Sequence, residues 1–134
     1  MHSRVIVVAF VILIGLGGVA QAEMFGGGPV YGGTASIGGQ ITCRIFNYGV
    51  SSVSISTRQI WNNTNPVAPE PLVGDTCNVV LAPTKYCAFT ANIPGNLAYS
   101  CRVIATGIDV KLSGVAEVKN PASSVILNSV PIGK

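Results

Sequence analysis

Histidine is nearly absent from this chain of 134 residues, since the single histidine is His2. His2 and Arg4 precede an apolar run that extends to residue 16, and the small residues Ala20 and Ala22 follow it, as in a cleavable secretory signal. We therefore predict a signal peptide over residues 1–22, with cleavage before Glu23. The mature chain then lacks histidine altogether, which excludes a Ser-His-Asp or Cys-His catalytic device.

Other absences restrict the function further. After residue 16 no apolar run reaches the roughly 20 residues that span a bilayer, so we expect no integral membrane segment after signal cleavage. The five acids are scattered, and Asp109 and Glu117 each lie two residues from a lysine, which favours a solvated charged face. The net charge of +3 is too small to indicate a nucleic-acid partner. We predict no enzyme activity, no catalytic or metal residues and no cofactor.

Glycine, in contrast, is abundant before residue 40. Residues 23–39 contain many glycines and no sustained apolar period, which is typical of flexible segments. We interpret 23–39 as a flexible lead-in that acts as a tether. The alternative is a strand donated to a partner, but Met24, Val30 and Ile37 do not alternate as such a strand requires.

From Gln40 to the end, the apolar residues recur with period two and are bounded by Gly, Pro and Asn. Examples are Ile41, Cys43 and Ile45 in QITCRIFN. The segment 62–71 holds three prolines and is predicted to be a loop or an edge. Residues 40–134 are accordingly predicted to form one all-β domain, an antiparallel β-sandwich of about seven short strands.

All four cysteines fall on the apolar phase of their strands. An even number of cysteines in an exported domain indicates structural disulfides, and four cysteines allow three connectivities. We favour Cys43 with Cys101, between an early and a late strand across the two sheets, and Cys77 with Cys87 around the turn at Pro83. The crossed pairings stay open. Zinc is disfavoured because no Cys-x-x-Cys pair is present.

The sequence Tyr99-x-Cys101 resembles the tyrosine corner and second cysteine of an immunoglobulin fold, with Cys43 in the place of the first cysteine. CRIFNYGVSSVSI and DTCNVVLAPTKYCAF are similar to segments of bacterial immunoglobulin-like domains, the choice-of-anchor D repeats among them. The resemblance covers residues 40 to about 130. It implies an immunoglobulin-like sandwich in which Tyr99 fills core space while its hydroxyl bonds to backbone, and it implies little about function.

A candidate binding surface consists of aromatic and amide residues, namely Trp61, Asn62, Asn63, Tyr48 and Tyr86. Aromatics beside a polar loop suit sugar stacking or a protein partner. The alternative is that Trp61 closes one end of the core. Asn62-Asn63-Thr64 also matches the glycosylation sequon, which is a surface feature in a eukaryotic secreted protein.

These observations predict an exported module, either periplasmic or secreted, with a structural or protein-interaction role. Its partner is then expected to be a protein of the envelope or cell surface. The alternative is a carbohydrate-binding module that uses Trp61 and the 62–71 loop, with a glycan as ligand.

Overall fold

The computed structural model describes residues 20–31, 39–78, 80–94, 97–120 and 125–134. Most of the predicted signal peptide, residues 1–19, lies outside the described residues. All regular structure in the described residues is β. It comprises nine strands: β1 (Gln21–Tyr31), β2 (Gly39–Asn47), β3 (Val53–Asn62), β4 (Leu72–Asp75), β5 (Val80–Leu81), β6 (Tyr86–Ile93), β7 (Ala98–Gly107), β8 (Leu112–Lys119) and β9 (Ile126–Ile132).

The strands form two antiparallel sheets that pack face to face. The four-stranded sheet has the order β1-β7-β3-β5, and the five-stranded sheet has the order β4-β6-β2-β8-β9. The predicted fold class, an all-β antiparallel sandwich with two disulfides, is thereby confirmed. The strand number differs, because β1 and β4 fall in segments predicted to be a lead-in and a region between strands.

Alternation along each strand creates the core. In β7, Tyr99, Cys101, Val103 and Ala105 are buried while the residues between them are partly exposed. The β-branched and aromatic side chains on the inner faces remove apolar surface from water, which is the main stabilising contribution in such a sandwich. The same alternation, read from the sequence, predicted these inward positions correctly.

Both predicted disulfides are present. Cys43 on β2 is bonded to Cys101 on β7, with a Cα–Cα distance of 6.1 Å, so this bridge joins the two sheets through the core. Cys77 is bonded to Cys87 on β6, with a Cα–Cα distance of 5.0 Å. Cys77 itself precedes β5, which is limited to Val80–Leu81, so Cys77 does not lie on a strand as its apolar phase had predicted.

The prediction of a flexible lead-in is wrong for the part that the structure describes, since β1 occupies Gln21–Tyr31 and pairs with β7. Phe25 and Val30 point into the core, and a register shift between Gly27 and Val30 brings both to the inner face. The alternation is interrupted by this bulge, which explains why the period-two pattern was missed. Residues 32–38 of the predicted lead-in lie outside the described residues.

Asn47 organises the chain reversal between β2 and β3. Its side chain is fully buried, and its Nδ2 group donates to the backbone oxygens of Ser51 at 2.9 Å and Leu81 at 3.0 Å. Its Oδ1 accepts from the Gly49 amide at 3.0 Å. Three bonds satisfy the buried carboxamide and fix the end of the sandwich that carries Tyr48.

The two open sides of the sandwich are partly closed by contacts between the two sheets. On one side, Arg58 Nε lies 2.6 Å from Asp75 Oδ2, which links β3 to β4, and Arg58 Nη1 donates to the Ile55 carbonyl at 2.9 Å. On the other side, Gly26 of β1 and Gly133 exchange two backbone hydrogen bonds of 3.1 Å.

The edge of β9 carries two further obstacles to pairing. Pro131 has no backbone N–H, and the Ser129 amide donates to the Asn128 side chain at 2.9 Å. Both features are typical of edges protected against the addition of another strand. The edge of β9 is therefore a poor candidate for recognition by strand addition.

Candidate functional site

The structure does not bring the predicted binding residues together. Tyr48 and Tyr86 lie at the end of the sandwich where β2 ends and β6 begins, since Phe46 pairs with Tyr86. Trp61 and its neighbours lie at the far end of β3. Ten residues of strand at about 3.3 Å each separate the two ends by roughly 30 Å. The candidate surface is thus two separate regions.

Trp61 does not close the core, so that interpretation is wrong. In the register of β3 and β7, Ile60 pairs with Cys101 on the inner face and Trp61 pairs with Ser100 on the outer face. The indole is partly exposed, and its Nε1 group donates to Gln59 Oε1 at 3.2 Å. A register shift between Ile55 and Thr57 sets this phase.

Asn62 is committed to holding the 62–71 loop. Its Oδ1 accepts hydrogen bonds from the Thr64 amide at 2.8 Å, the Thr64 hydroxyl at 2.9 Å and the Asn65 amide at 2.6 Å. Its Nδ2 group donates to Glu70 Oε1. Asn63 is exposed and its Oδ1 accepts from the Ala98 amide at 3.2 Å. The loop is therefore fixed by its own polar side chains. Both the carbonyl oxygen and the NH₂ group of the Asn62 side chain already form hydrogen bonds within the loop.

Tyr99 fills core space as predicted, but its hydroxyl does not bond to backbone. The side chain is fully buried, and the hydroxyl oxygen has no hydrogen-bond partner in the structure. Burial raises the pKa of Tyr99 to about 12, and the negative charge of Glu70 acts in the same direction. Both effects disfavour the phenolate, so Tyr99 is a neutral core residue with no sign of a binding role.

At the Tyr86 end, the outer face of the five-stranded sheet carries a shallow apolar groove of about 370 Å³. Phe46 on β2 and Tyr86 on β6 form one wall, and Val115 on β8 forms the other. Ile45 on β2 and Gly114 on β8, which pair with each other, also line the groove. Arg44 completes the lining, and we call this feature the Phe46–Tyr86 groove.

The groove combines exposed aromatic surface with one charged group. Tyr86 is 68% exposed and Phe46 is 39% exposed, although Phe46 occupies a position where sheet alternation favours a polar residue. Arg44 at the rim is held by Glu117, with an Nε to Oε2 distance of 3.0 Å. The sequence analysis selected Tyr86 and missed the other residues that line the groove. Phe46 could have been found, because it is an aromatic residue on the polar phase of β2.

Four of the five acids of the chain form ion pairs, and the fifth, Glu70, accepts a hydrogen bond from Asn62. Asp109 lies 2.9 Å from Lys111, Glu117 lies 3.7 Å from Lys119 as well as beside Arg44, and Glu23 lies 2.7 Å from Lys134. Within the described ranges, no group of three His, Cys, Asp or Glu side chains could hold a metal ion. The charged face predicted from Asp109 and Glu117 matches these pairs.

Fold and surface together define a disulfide-linked antiparallel β-sandwich with an aromatic groove on one face. No family model, no curated protein and no solved structure matches this chain. In the part of the chain that the structure describes, no helix is long and apolar enough to cross a membrane. The two disulfides indicate an oxidising, extracellular environment.

Proposed function

We propose that this protein is an exported, non-enzymatic interaction module that binds a protein of the cell envelope or cell surface through the Phe46–Tyr86 groove. The observation that carries the proposal is the exposed aromatic pair, Phe46 and Tyr86, on a face where antiparallel sheets normally present polar residues. Phe, Tyr and Arg are the residue types that are enriched in protein interfaces.

The shape and surroundings of the groove favour a protein side chain as its occupant. A volume of about 370 Å³ accommodates one or two large apolar side chains, and Arg44 at its rim offers charge for a polar contact. The protected edge of β9 disfavours a partner that adds a strand to the five-stranded sheet on that side. A partner that presents an apolar side chain to the sheet face satisfies both conditions.

Export, through a signal peptide over residues 1–22, is part of the same proposal, with the periplasm and the medium as alternative destinations. Two disulfides in a domain of this size support it, because such bonds persist outside the reducing cytosol. An immunoglobulin-like family membership is likewise proposed. The disulfide between the two sheets, Cys43 to Cys101, supports it.

The test places a photo-activated cross-linking amino acid at position 86 and, as a matched control, at Val67, which is 87% exposed at the other end of the sandwich. In cells of the producing organism, position 86 should yield one defined protein adduct. The same adduct should be lost when Val115→Asp introduces a charge into the groove wall, while the secreted amount of the variant stays constant.

Two results would contradict the proposal. One is an adduct that forms equally from position 67, since the contact would then not depend on the groove. The other is an adduct at position 86 that persists in the Val115→Asp variant. An N-terminal sequence of the exported protein that does not begin at Glu23 would contradict the predicted cleavage site alone.

A further inference from the structure

Among the described residues, Arg102 is a charged side chain that has no ion-pair or hydrogen-bond partner. It lies on β7, an inner strand of the four-stranded sheet, and its side chain is partly buried on the outer face. All five acids of the chain are in the described residues, and none forms an ion pair with Arg102. Its Nε group is buried without a hydrogen-bond partner. An unsatisfied guanidinium group costs stability, and none of the guanidinium nitrogens of Arg102 bonds to a described residue. Because the side chain is only partly buried, an acceptor from outside the chain can approach the guanidinium group through its terminal nitrogens.

The strand register surrounds Arg102 with a defined set of neighbours. Arg102 pairs with Gln59 on β3 and with Gly26 on β1, and the adjacent pair along the outer face is Ser100 with Trp61. Side chains opposite or diagonal to one another on one sheet face lie roughly 5 to 8 Å apart. One ligand can therefore contact Arg102, Gln59 and Trp61 together.

The polar groups of this cluster present donors. Trp61 Nε1 donates to Gln59 Oε1 at 3.2 Å, so the carbonyl oxygen of Gln59 is occupied, whereas its NH₂ group makes no hydrogen bond to a described residue. A guanidinium group has donors and no acceptor. The group that satisfies both Arg102 and Gln59 is consequently an acceptor with negative charge, and a carboxylate matches the planar fork of arginine.

The surface beside Arg102 is open. A Cβ atom at Gly26 would meet only the Cys101 carbonyl oxygen, at 3.8 Å, so packing does not require glycine there. The absence of a side chain at Gly26 leaves the sheet surface uncovered on one side of Arg102. On the other side lies the partly exposed indole of Trp61, an aromatic surface on which a flat ring can stack.

We propose that the outer face of the four-stranded sheet binds a carboxylate-bearing saccharide. Arg102 and Gln59 bond the carboxylate, and the indole of Trp61 stacks on the adjoining sugar ring. A peptide carboxylate is the less suitable ligand, because the backbone of β7 at Arg102 is already paired with β1 and β3 and offers a peptide backbone no strand to pair with. This site lies on the opposite sheet from the Phe46–Tyr86 groove and does not depend on it.

The test uses the disulfide-intact protein and its single tryptophan as the probe. Trigalacturonic acid should change the Trp61 fluorescence in a saturable manner, whereas neutral maltotriose should not. Arg102→Gln should weaken the binding of trigalacturonic acid by about ten- to a hundredfold, the range for a charged hydrogen-bonded contact. Trp61→Phe, followed by calorimetry, should weaken it as well.

Lys85→Gln is the matched control, since Lys85 is the other cation of the described residues that lacks an ion pair and lies exposed in the turn before β6. It removes the same charge and should leave the affinity unchanged. Arg102→Lys keeps the charge without the planar fork and should give intermediate affinity. Unfolding curves of each variant show that the fold is retained.

Equal affinity of the wild type and Arg102→Gln would overturn the proposal, as would the absence of saturable binding. Maltotriose binding as tightly as trigalacturonic acid would show that the carboxylate is not recognised. Equally tight binding of the peptide tetra-alanine, which carries a free terminal carboxylate, would overturn the assignment to a saccharide. Mutations in the Phe46–Tyr86 groove should leave all these measurements unchanged.

Discussion

The two disulfides provide a direct test of how the fold is stabilised, because they close loops of very different length. Cys43 and Cys101 are 58 positions apart, and Cys77 and Cys87 are 10 positions apart. We compare the double variants Cys43→Ala/Cys101→Ala and Cys77→Ala/Cys87→Ala with the wild type. Each variant removes one bridge and two sulfur atoms.

The expected magnitudes follow from the chain entropy of the unfolded state. In the loop-closure model, a bridge over 58 residues contributes about 4.2 kcal/mol and a bridge over 10 residues about 2.7 kcal/mol. All four cysteines are buried to the same degree, with exposed fractions between 0% and 3%. The packing cost of losing the sulfur atoms therefore nearly cancels, and the difference of about 1.5 kcal/mol reports loop length.

Urea unfolding, followed by circular dichroism, gives the free energy of unfolding of the three proteins. Removal of the Cys43–Cys101 bridge should be the more damaging change. Against a total stability of about 5 to 15 kcal/mol, it leaves a domain that is marginally folded. If the variant without the Cys77–Cys87 bridge lost more free energy of unfolding than the variant without the Cys43–Cys101 bridge, the entropic reasoning would be refuted. That outcome would mean that native-state packing around β6 outweighs loop length.

Two further predictions concern β1 and the core. Gly27→Ala should lower the free energy of unfolding, measured in urea, by about 1 to 3 kcal/mol, because its Cβ would lie 2.6 Å from Ile132 Cγ1. Gly26→Ala should have little effect. An equal loss of unfolding free energy in both variants would contradict the close contact between β1 and β9. Tyr99 has a folded-state pKa of about 12 against an ordinary value of 10.0, because the folded state favours the neutral phenol. The stability that the neutral phenol contributes is fully present below pH 10 and is lost as the pH rises through 12. The wild type should lose up to about 3 kcal/mol more than Tyr99→Phe across that interval, and parallel pH profiles would contradict it.

The local alternation of apolar and polar residues was sufficient to predict much of the fold. The inward positions of β2, β6 and β7 could be predicted, because one face of each strand is buried and the other is exposed. The same pattern placed all four cysteines inside the sandwich. We favoured a bridge between the cysteines of an early and a late strand and another between the two cysteines that are close in sequence, and the structure contains these two bridges.

The glycine-rich segment shows where this reasoning ends. Its composition is that of a flexible chain, yet β1 pairs along β7 because Gly27 and Gly28 allow other backbone to approach closely. A Cβ at Gly28 would lie 2.7 Å from the Tyr99 carbonyl oxygen, and φ there is +131°. Whether glycine marks flexibility or close packing depends on what lies opposite, and the sequence does not contain that information.

The candidate sites show the same division. Sequence alone determined the all-β class, the buried faces and the lack of histidine after the predicted signal cleavage. It favoured the disulfide pairing that the structure contains but left the crossed pairings open. Tertiary structure decided that Trp61 faces outward beside Arg102, and that Tyr86 lies roughly 30 Å away beside Phe46. The physical reason is that side-chain alternation is local, whereas bulges and strand order set the neighbours of each residue across the sheets.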